Sequence, residues 1–347
     1  MSSCSSTTTT TNPTSTSDMA SNATAITDVH PDIIRTHILT KLDGPSLAST
    51  SSASSHLQSL SSEDELWREV CNSTWPSTTD PLVSATISSF SSGHRSFFCD
   101  AFPTFRPFSR PSHPNRRPWP SVFDLISAVD VHYKNKLVFS QAHLTETVSL
   151  WFQCSLLRVD LLDYKETVPT PVKFAGDEET CRADLEEHMS LSWILIDPTH
   201  KRAVNLSSLR PVSVKRHWLT GDFLVRYATI LAGDLNGDRW ESVQCSLMVT
   251  CVGEQGGELQ VKEVSMQVED MDGMILSGND GLVFLQEAME SERRKRGKRG
   301  EERERYEEYL EIRRERTEKN QGREWRLDKV FIATGIIIFL AFWAFVL

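Results

Sequence analysis

Apolar positions in this chain change period along its length, and each change predicts a different kind of element. Between Asp28 and Val70 they fall at helical spacing: Ile34, Ile38 and Leu42 recur at i, i+4 and i+8, with Leu39 widening the stripe. Pro31 suits a first helical turn with His30 or Asp28 near the cap, and Asp43-Gly44-Pro45 stops the helix. Ser46 is placed to cap a second helix that carries Leu47, Ala48, Ala53 and Leu57 on toward Leu60. A third short helix is expected from Glu63 to Val70, around Leu66 and Trp67.

From Val122 the apolar runs shorten and are broken by turn residues. LSWILIDP (191–198), RAVNLSS (202–208) and FLVRYATIL (223–231) read as strands. Val243, Cys245, Leu247, Val249 and Cys251 alternate with period two. The next run alternates at Leu259 and Val261 and restarts at Val264, Met266 and Val268, a slip of one that predicts a bulge. Turn signals at 235–238 and 254–257 separate these runs, and no helical pattern intervenes, so an antiparallel sandwich or barrel is expected. A last amphipathic helix is expected from Gly281 to Met289. Beyond it the chain is almost wholly charged as far as Lys329, with Glu and Arg three or four residues apart, the texture of a solvated helical stalk.

The two ends depart most from globular patterning. Thirteen of the first eighteen residues are Ser or Thr, so this tail cannot bury enough apolar area to offset chain entropy and is expected to be disordered. The last eighteen residues, Val330 to Leu347, carry no charge. At about 1.5 Å per residue they span about 27 Å, close to the hydrocarbon thickness of an endoplasmic-reticulum-type bilayer. Arg323, Arg326 and Lys329 flank only the N-terminal side, and Trp325 and Trp343 sit where interfacial aromatics are expected. The run is therefore expected to be a single-pass tail anchor, with every domain on the cytosolic side.

Charge and cysteine usage narrow the function. The net charge of −10 conceals a local +3 between Glu290 and Lys329, so the remainder is acidic and general nucleic-acid binding through the fold is not expected. Seven cysteines include no Cys-x-x-Cys pair, which is neither a zinc pattern nor a disulfide framework. No Gly-rich phosphate loop, G-x-S-x-G or His-x-x-x-His pair is present, so no cofactor, no metal and no enzymatic role is expected. DLNGDRWE (234–241) spaces Asp234, Asn236 and Asp238 like a calcium loop, but Arg239 stands where the loop needs Gly and Cys245 where it needs Glu, so it reads as a hairpin turn. RRKRGKR (293–299) has the composition of a nuclear-import or acidic-lipid patch and is read as a solvated basic turn opening the stalk. Trp193, Arg210, Arg216, His217, Trp218 and Arg226 lie near expected strand ends, where loops could hold a partner or a sugar-like ligand; the plainer reading is half-buried strand residues.

The helical segment has a further property. Three short helices in under fifty residues are too few to bury all their apolar side chains, so a partner is expected to cover the surplus. In order, Pro31, Ile34, Ile38, Leu39, Leu42, Pro45, Leu47 and Ala48 resemble the motif of the F-box family, with Ala53 at its Val position. His30, Ser54 and Leu57 stand where the family carries Leu, Cys and Trp. SASSHLQSLSSEDELWREVCNSTWPS (52–77), GHRSFF (93–98) and VNLSSLRPVSVKRHWLTGD (204–222) extend the likeness to a plant-type group of F-box proteins.

The resemblance implies a non-catalytic substrate adaptor that docks on the SKP adaptor of a cullin-RING ubiquitin ligase. A downstream domain would then present an unidentified protein substrate. Pro31, Ile34, Ile38, Leu39, Leu47 and Leu57 are the expected adaptor contacts, each with a second reading as the bundle's own core. The expected architecture is α+β and multidomain: a tail (1–27), a three-helix F-box (28–75), a Pro/Arg-rich linker (76–120), an antiparallel β-rich, sandwich-like domain (121–290), a charged helical stalk (291–329) and a transmembrane anchor (330–347). The competing reading is a membrane-anchored scaffold acting outside any ligase.

Overall fold

Ile34 and Leu39 are fully buried while Ile33 and Ile38 are exposed, and a single irregular turn explains the difference. The first helix opens with Pro31–Ile33 (α1) and passes into a π turn, Ile34–Ile38, before a 3-10 turn, Leu39–Lys41. In the π turn the Leu39 N–H reaches back to the Ile34 carbonyl, so residues five apart, not four, share a side. These details come from a computed structural model, which describes residues 29–102, 124–174, 176–234, 240–290 and 301–346. The Ser/Thr tail, the proline-rich stretch from 103 to 120, the turn at 235–239 and the basic stretch at 293–299 lie outside the described residues.

By contact density the chain falls into two units, Met1–Ser61 and Ser62–Leu347. In the first, α2 (Gly44–Thr50) starts at Asp43, whose carboxylate accepts from the Ser46 N–H at 3.0 Å. Asp43, not Ser46, is therefore the cap, because Gly44 and Pro45 already lie inside the first turn, where proline sacrifices no hydrogen bond. The expected second helix is divided at 51–54. Ser54 accepts from the Leu57 N–H at 3.2 Å and opens α3, Ser55–Ser61.

The second unit begins with α4 (Asp64–Thr74), a 3-10 turn at Pro76–Thr79, α5 (Pro81–Ser88) and α6 (Gly93–Ala101). Of the irregular linker expected from residue 76, the part up to 101 is thus mostly helical, in three short segments. Val83, Ile87, Phe90, Phe97 and Phe98 give these helices a buried apolar side. The division also falls inside the expected 28–75 bundle, because Trp67 and Trp75 pack against Phe98 of α6 at 5.3 and 5.4 Å between ring centroids. Buried His94 fixes the start of α6 to that of α4: its Nδ1 lies 3.0 Å from the Asp64 carboxylate, which also accepts the His94 N–H at 2.8 Å.

Two antiparallel sheets follow. The first takes the order β2-β1-β5-β6 from β1 (Asp124–Tyr133), β2 (Lys136–Glu146), β5 (Met189–Asp197) and β6 (Arg202–Asn205). Lys134 and Asn135 both have positive φ, 49° and 60°, as a two-residue hairpin turn between twisted strands requires. The second runs β3-β10-β9-β8-β7, with β4 also on β10: β3 (Arg158–Asp160), β4 (Val168–Lys173), β7 (Ser213–Arg216), β8 (Phe223–Asp234), β9 (Trp240–Val252) and β10 (Glu258–Glu269). The expected bulge is present as a register shift between Val261 and Glu263.

One apolar core lies between the sheets. It takes Val129, Val131 and Trp193 from the first, Tyr227, Leu247 and Val264 from the second, and Phe284 and Leu285 from α9 (Gly278–Glu290). Two further helices connect strands, α7 (Leu150–Cys154) between β2 and β3 and α8 (Glu178–His188) between β4 and β5, and α8 adds Cys181 and Leu185 to the core.

The charged helix and the apolar run form one continuous helix, α10 (Glu301–Val346). Its first four turns are not a free stalk. Tyr306 and Tyr309 are buried, Tyr306 together with Val212 and Ala228 on the outer side of the second sheet. Burial pushes the Tyr309 hydroxyl up to about 12, and that hydroxyl donates to the Asp270 carbonyl at 3.2 Å. Beyond Arg316 the described side chains of α10 are almost all exposed.

Candidate functional site

The six residues expected to meet an adaptor divide into two groups. Ile34, Leu39, Leu47 and Leu57 are buried, so they form the interior of their own short helices. Pro31 and Ile38 are exposed, Ile38 by 40%. Ile33, which helical spacing alone did not single out, is exposed by 50%. The π turn is the reason: with bonds five apart, Ile34 pairs inward with Leu39 while Ile33 and Ile38 are left outward. The result is a short apolar strip, Pro31, Ile33 and Ile38, bordered by polar Asp32, Thr36 and Thr40. Thr36 and Thr40 turn their hydroxyls back onto the carbonyls of Asp32 and Thr36 at 2.6 and 2.7 Å, which removes them as donors. Such a surface binds by apolar burial, with a few large side chains dominating.

In the second unit an open groove of about 1330 Å³ runs beside the first sheet, walled by Trp75 and Phe102 and rimmed by Glu187 and Arg210. His132 and Ser190 lie directly opposite each other on β1 and β5, and Asp130 is opposite Ser192. Aspartate, histidine and serine thus share one side of the sheet, but the aspartate is committed elsewhere. The buried Asp130 carboxylate accepts from the Ser77 N–H at 2.9 Å, the Ser77 hydroxyl at 2.6 Å and the Ser140 hydroxyl at 2.7 Å. No hydrogen bond joins His132 to Ser190 or Asp130 among the described residues. Burial lowers the pKa of His132, with the Asp130 charge opposing it. The constellation fastens the 76–79 turn to β1 and carries none of the linkages that nucleophilic catalysis requires.

Removing Asp130 should therefore be costly. Asp130→Ala leaves the two buried Ser77 donors without an acceptor and frees the exposed Ser140 hydroxyl to water, and a loss of about 3 kcal/mol is expected in denaturant unfolding, with a smaller loss for Asp130→Asn. Burial raises the Asp130 pKa, and the bonds from Ser77 and Ser140 only partly offset it. The folded state thus holds a proton that the unfolded state releases, so stability falls as pH rises from the ordinary carboxylate range through the raised value. Asp130→Asn should abolish that slope.

The remaining residues singled out near strand ends do not converge. Trp193 is fully buried and its indole donates to Ser127 at 3.2 Å. Arg210 donates to the Glu187 carbonyl at 2.6 Å. Arg216 lies over Phe174 and Phe223 and pairs with Glu178 at 2.9 Å, a structural use of its charge. His217 stacks on Trp218, which is 88% exposed in the connection before β8, and Arg226 is half-buried on that strand. Among the described residues the cysteines are free and no group of His, Cys, Asp or Glu is arranged to hold a metal ion.

At the C-terminal end, α10 contains an eighteen-residue window with mean hydropathy 1.9, none of it buried, long and apolar enough to cross a membrane. Lys329 sits over the Trp325 ring at 3.4 Å, just before the apolar run.

No family model matches the chain, and no solved structure does. Curated proteins do. F-box protein At2g27310 of Arabidopsis thaliana is 41% identical over 340 residues, covering 94% of this chain and 97% of the relative. Probable F-box protein At2g36090 is 46% identical over 79% of each chain, and F-box protein At3g44326 is 45% identical over 78% of this chain and 75% of its own, both from the same plant. Identity at this level, across most of both chains and not the N-terminal helices alone, establishes that the chain belongs to the plant F-box protein family.

Proposed function

We propose that this protein is a membrane-anchored substrate adaptor of an SKP–cullin–F-box ubiquitin ligase. The observation that carries the reading is the exposed strip of Pro31, Ile33 and Ile38, backed by buried Ile34 and Leu39. It is an apolar surface on a rigid support, suited to insertion against a partner helix. The relatives' names support the adaptor class. The protein itself is non-catalytic in this reading: it binds the SKP-type adaptor directly, meets the cullin through it, and presents a protein substrate from the β-rich unit for ubiquitination. The uncovered apolar end of α10 supports a tail anchor with both units on the cytosolic side.

Ligase assembly is the discriminating test. The full chain in detergent should co-elute with a recombinant SKP-type adaptor and its cullin, and Pro31→Ala with Ile38→Ala should reduce recovery of both several-fold. Adaptor retention without cullin recruitment would favour a scaffold acting outside the ligase. Undiminished recovery with the double variant would remove the exposed strip from the interface.

A further inference from the structure

The residues of α10 seen to contact the rest of the β-rich unit, at 303, 306, 309, 313 and 316, follow one side of a helix. Arg303 pairs with Glu186 of α8. Tyr306 and Tyr309 are buried, and the Tyr309 hydroxyl holds the Asp270 carbonyl. Arg313 reaches Glu269 at 3.6 Å and Arg316 reaches Asp272 at 3.2 Å. Gly273, at φ +86°, lies against the Arg313 guanidinium, which fills the space a Cβ would take. The docking line is about 20 Å long, and a helix held along that length cannot swivel at its point of exit.

The same helix then continues without a break to Val346. Arg314 pairs with Glu311 and Glu318 along the exposed part, and no proline interrupts it. From Arg316 to Val330 the helix rises about 21 Å, and from Arg303 to Val330 about 40 Å.

From this docking and continuity we infer that α10 is a strut of fixed length that holds the β-rich unit at a set height over the bilayer. This inference rests on the tail-anchor reading. It also specifies the partner. The loop Asp270–Gly273 stands about 20 Å from the start of the apolar run, and the groove rim beside Arg303 about 40 Å along the helix. A substrate held at that rim must present its recognised segment tens of ångströms from the lipid. It is either a soluble protein, or a membrane protein whose recognised segment lies roughly a dozen or more extended residues from its own span. A juxtamembrane segment of a few residues falls short.

The height can be read by energy transfer. The full chain, labelled at Thr199→Cys with Cys4, Cys99 and Cys154 changed to Ser, is placed in nanodiscs carrying acceptor-labelled headgroups. A single narrow distance is expected in the parent chain. Seven residues of helix-forming sequence inserted after Asn320 should move the label outward by about 10 Å, keeping the helical phase. Gln321→Pro with Gly322→Pro should broaden the distribution. A broad distribution in the parent, or an unchanged distance after the insertion, overturns the strut. Failure of the protein to float with the nanodiscs overturns both the strut and the anchor, so the two failures are told apart by flotation alone.

Discussion

A chain ending at Lys329 should lose membrane association completely while keeping its fold. In a flotation assay the parent should rise with liposomes and resist alkaline extraction, and the truncated protein should remain at the bottom of the gradient. The expected effect is all-or-none, because the apolar run is the chain's one uninterrupted stretch long enough to cross a bilayer. Its described side chains are exposed throughout, so deletion removes nothing from the interior of either unit. Thermal unfolding of the truncated chain should match the parent's, since Tyr306, Tyr309, Arg313 and Arg316 all precede the cut. A graded version uses charge. Phe339→Arg with Leu340→Arg places two guanidinium groups near the middle of the run, each costing about 2.5–3.5 kcal/mol on insertion scales, and should give partial or failed insertion. If the truncated chain still floats, another surface holds the membrane and α10 is not the anchor.

What the sequence made legible follows from how strongly burial is patterned. The β9 and β10 alternation, including the bulge, could be read because one side of those strands is core: Cys245, Leu247 and Val249 are all fully buried. Strands β1 and β2 were missed although they carry much of the first sheet. Their hairpin turns on Lys134-Asn135, which lacks the glycine that usually advertises such a turn, and Leu137 and Leu144 are largely exposed, which blurs the period. Helices α5 and α6 were hidden by serine: Val83, Ile87, Phe97 and Phe98 are correctly spaced, but the residues between them resemble a loop.

The docked part of α10 was illegible for a different reason. Only two of its contact residues are aromatic, and the rest are arginines whose partners, Glu186, Glu269 and Asp272, are remote in sequence. A charged helix face reads as solvated until those carboxylates are located.

At the candidate site the sequence supplied the residues but not their sides. A stripe at i, i+4 and i+8 would put Ile34 and Ile38 together, whereas the π turn buries the first and exposes the second. No residue pattern announces a π turn, so Ile33 could not be recognised as Ile38's companion. Leu57, standing where the family carries Trp, is 93% removed from solvent and so packs within the fold. Ser54, at a family Cys position, caps α3. These two departures therefore have local structural uses and do not alter the exposed strip.

The central claim is that this strip seats an SKP-type adaptor, and the adaptor's dissociation constant for the full chain tests it most directly. Ile33→Asp with Ile38→Asp puts two carboxylates on the exposed surface without touching Ile34, Leu39 or Leu47, so circular dichroism should be unchanged. Each aspartate would have to be desolvated against an apolar partner, and two such losses of about 2 kcal/mol weaken binding by roughly a thousand-fold. Thr40→Ala, on the same helix outside the strip, should leave the constant unaltered. Binding weakened to this degree in the double variant alone is the predicted result. A constant that stays within a factor of a few of the parent's, in a protein still folded, would contradict the assignment of this surface to the adaptor.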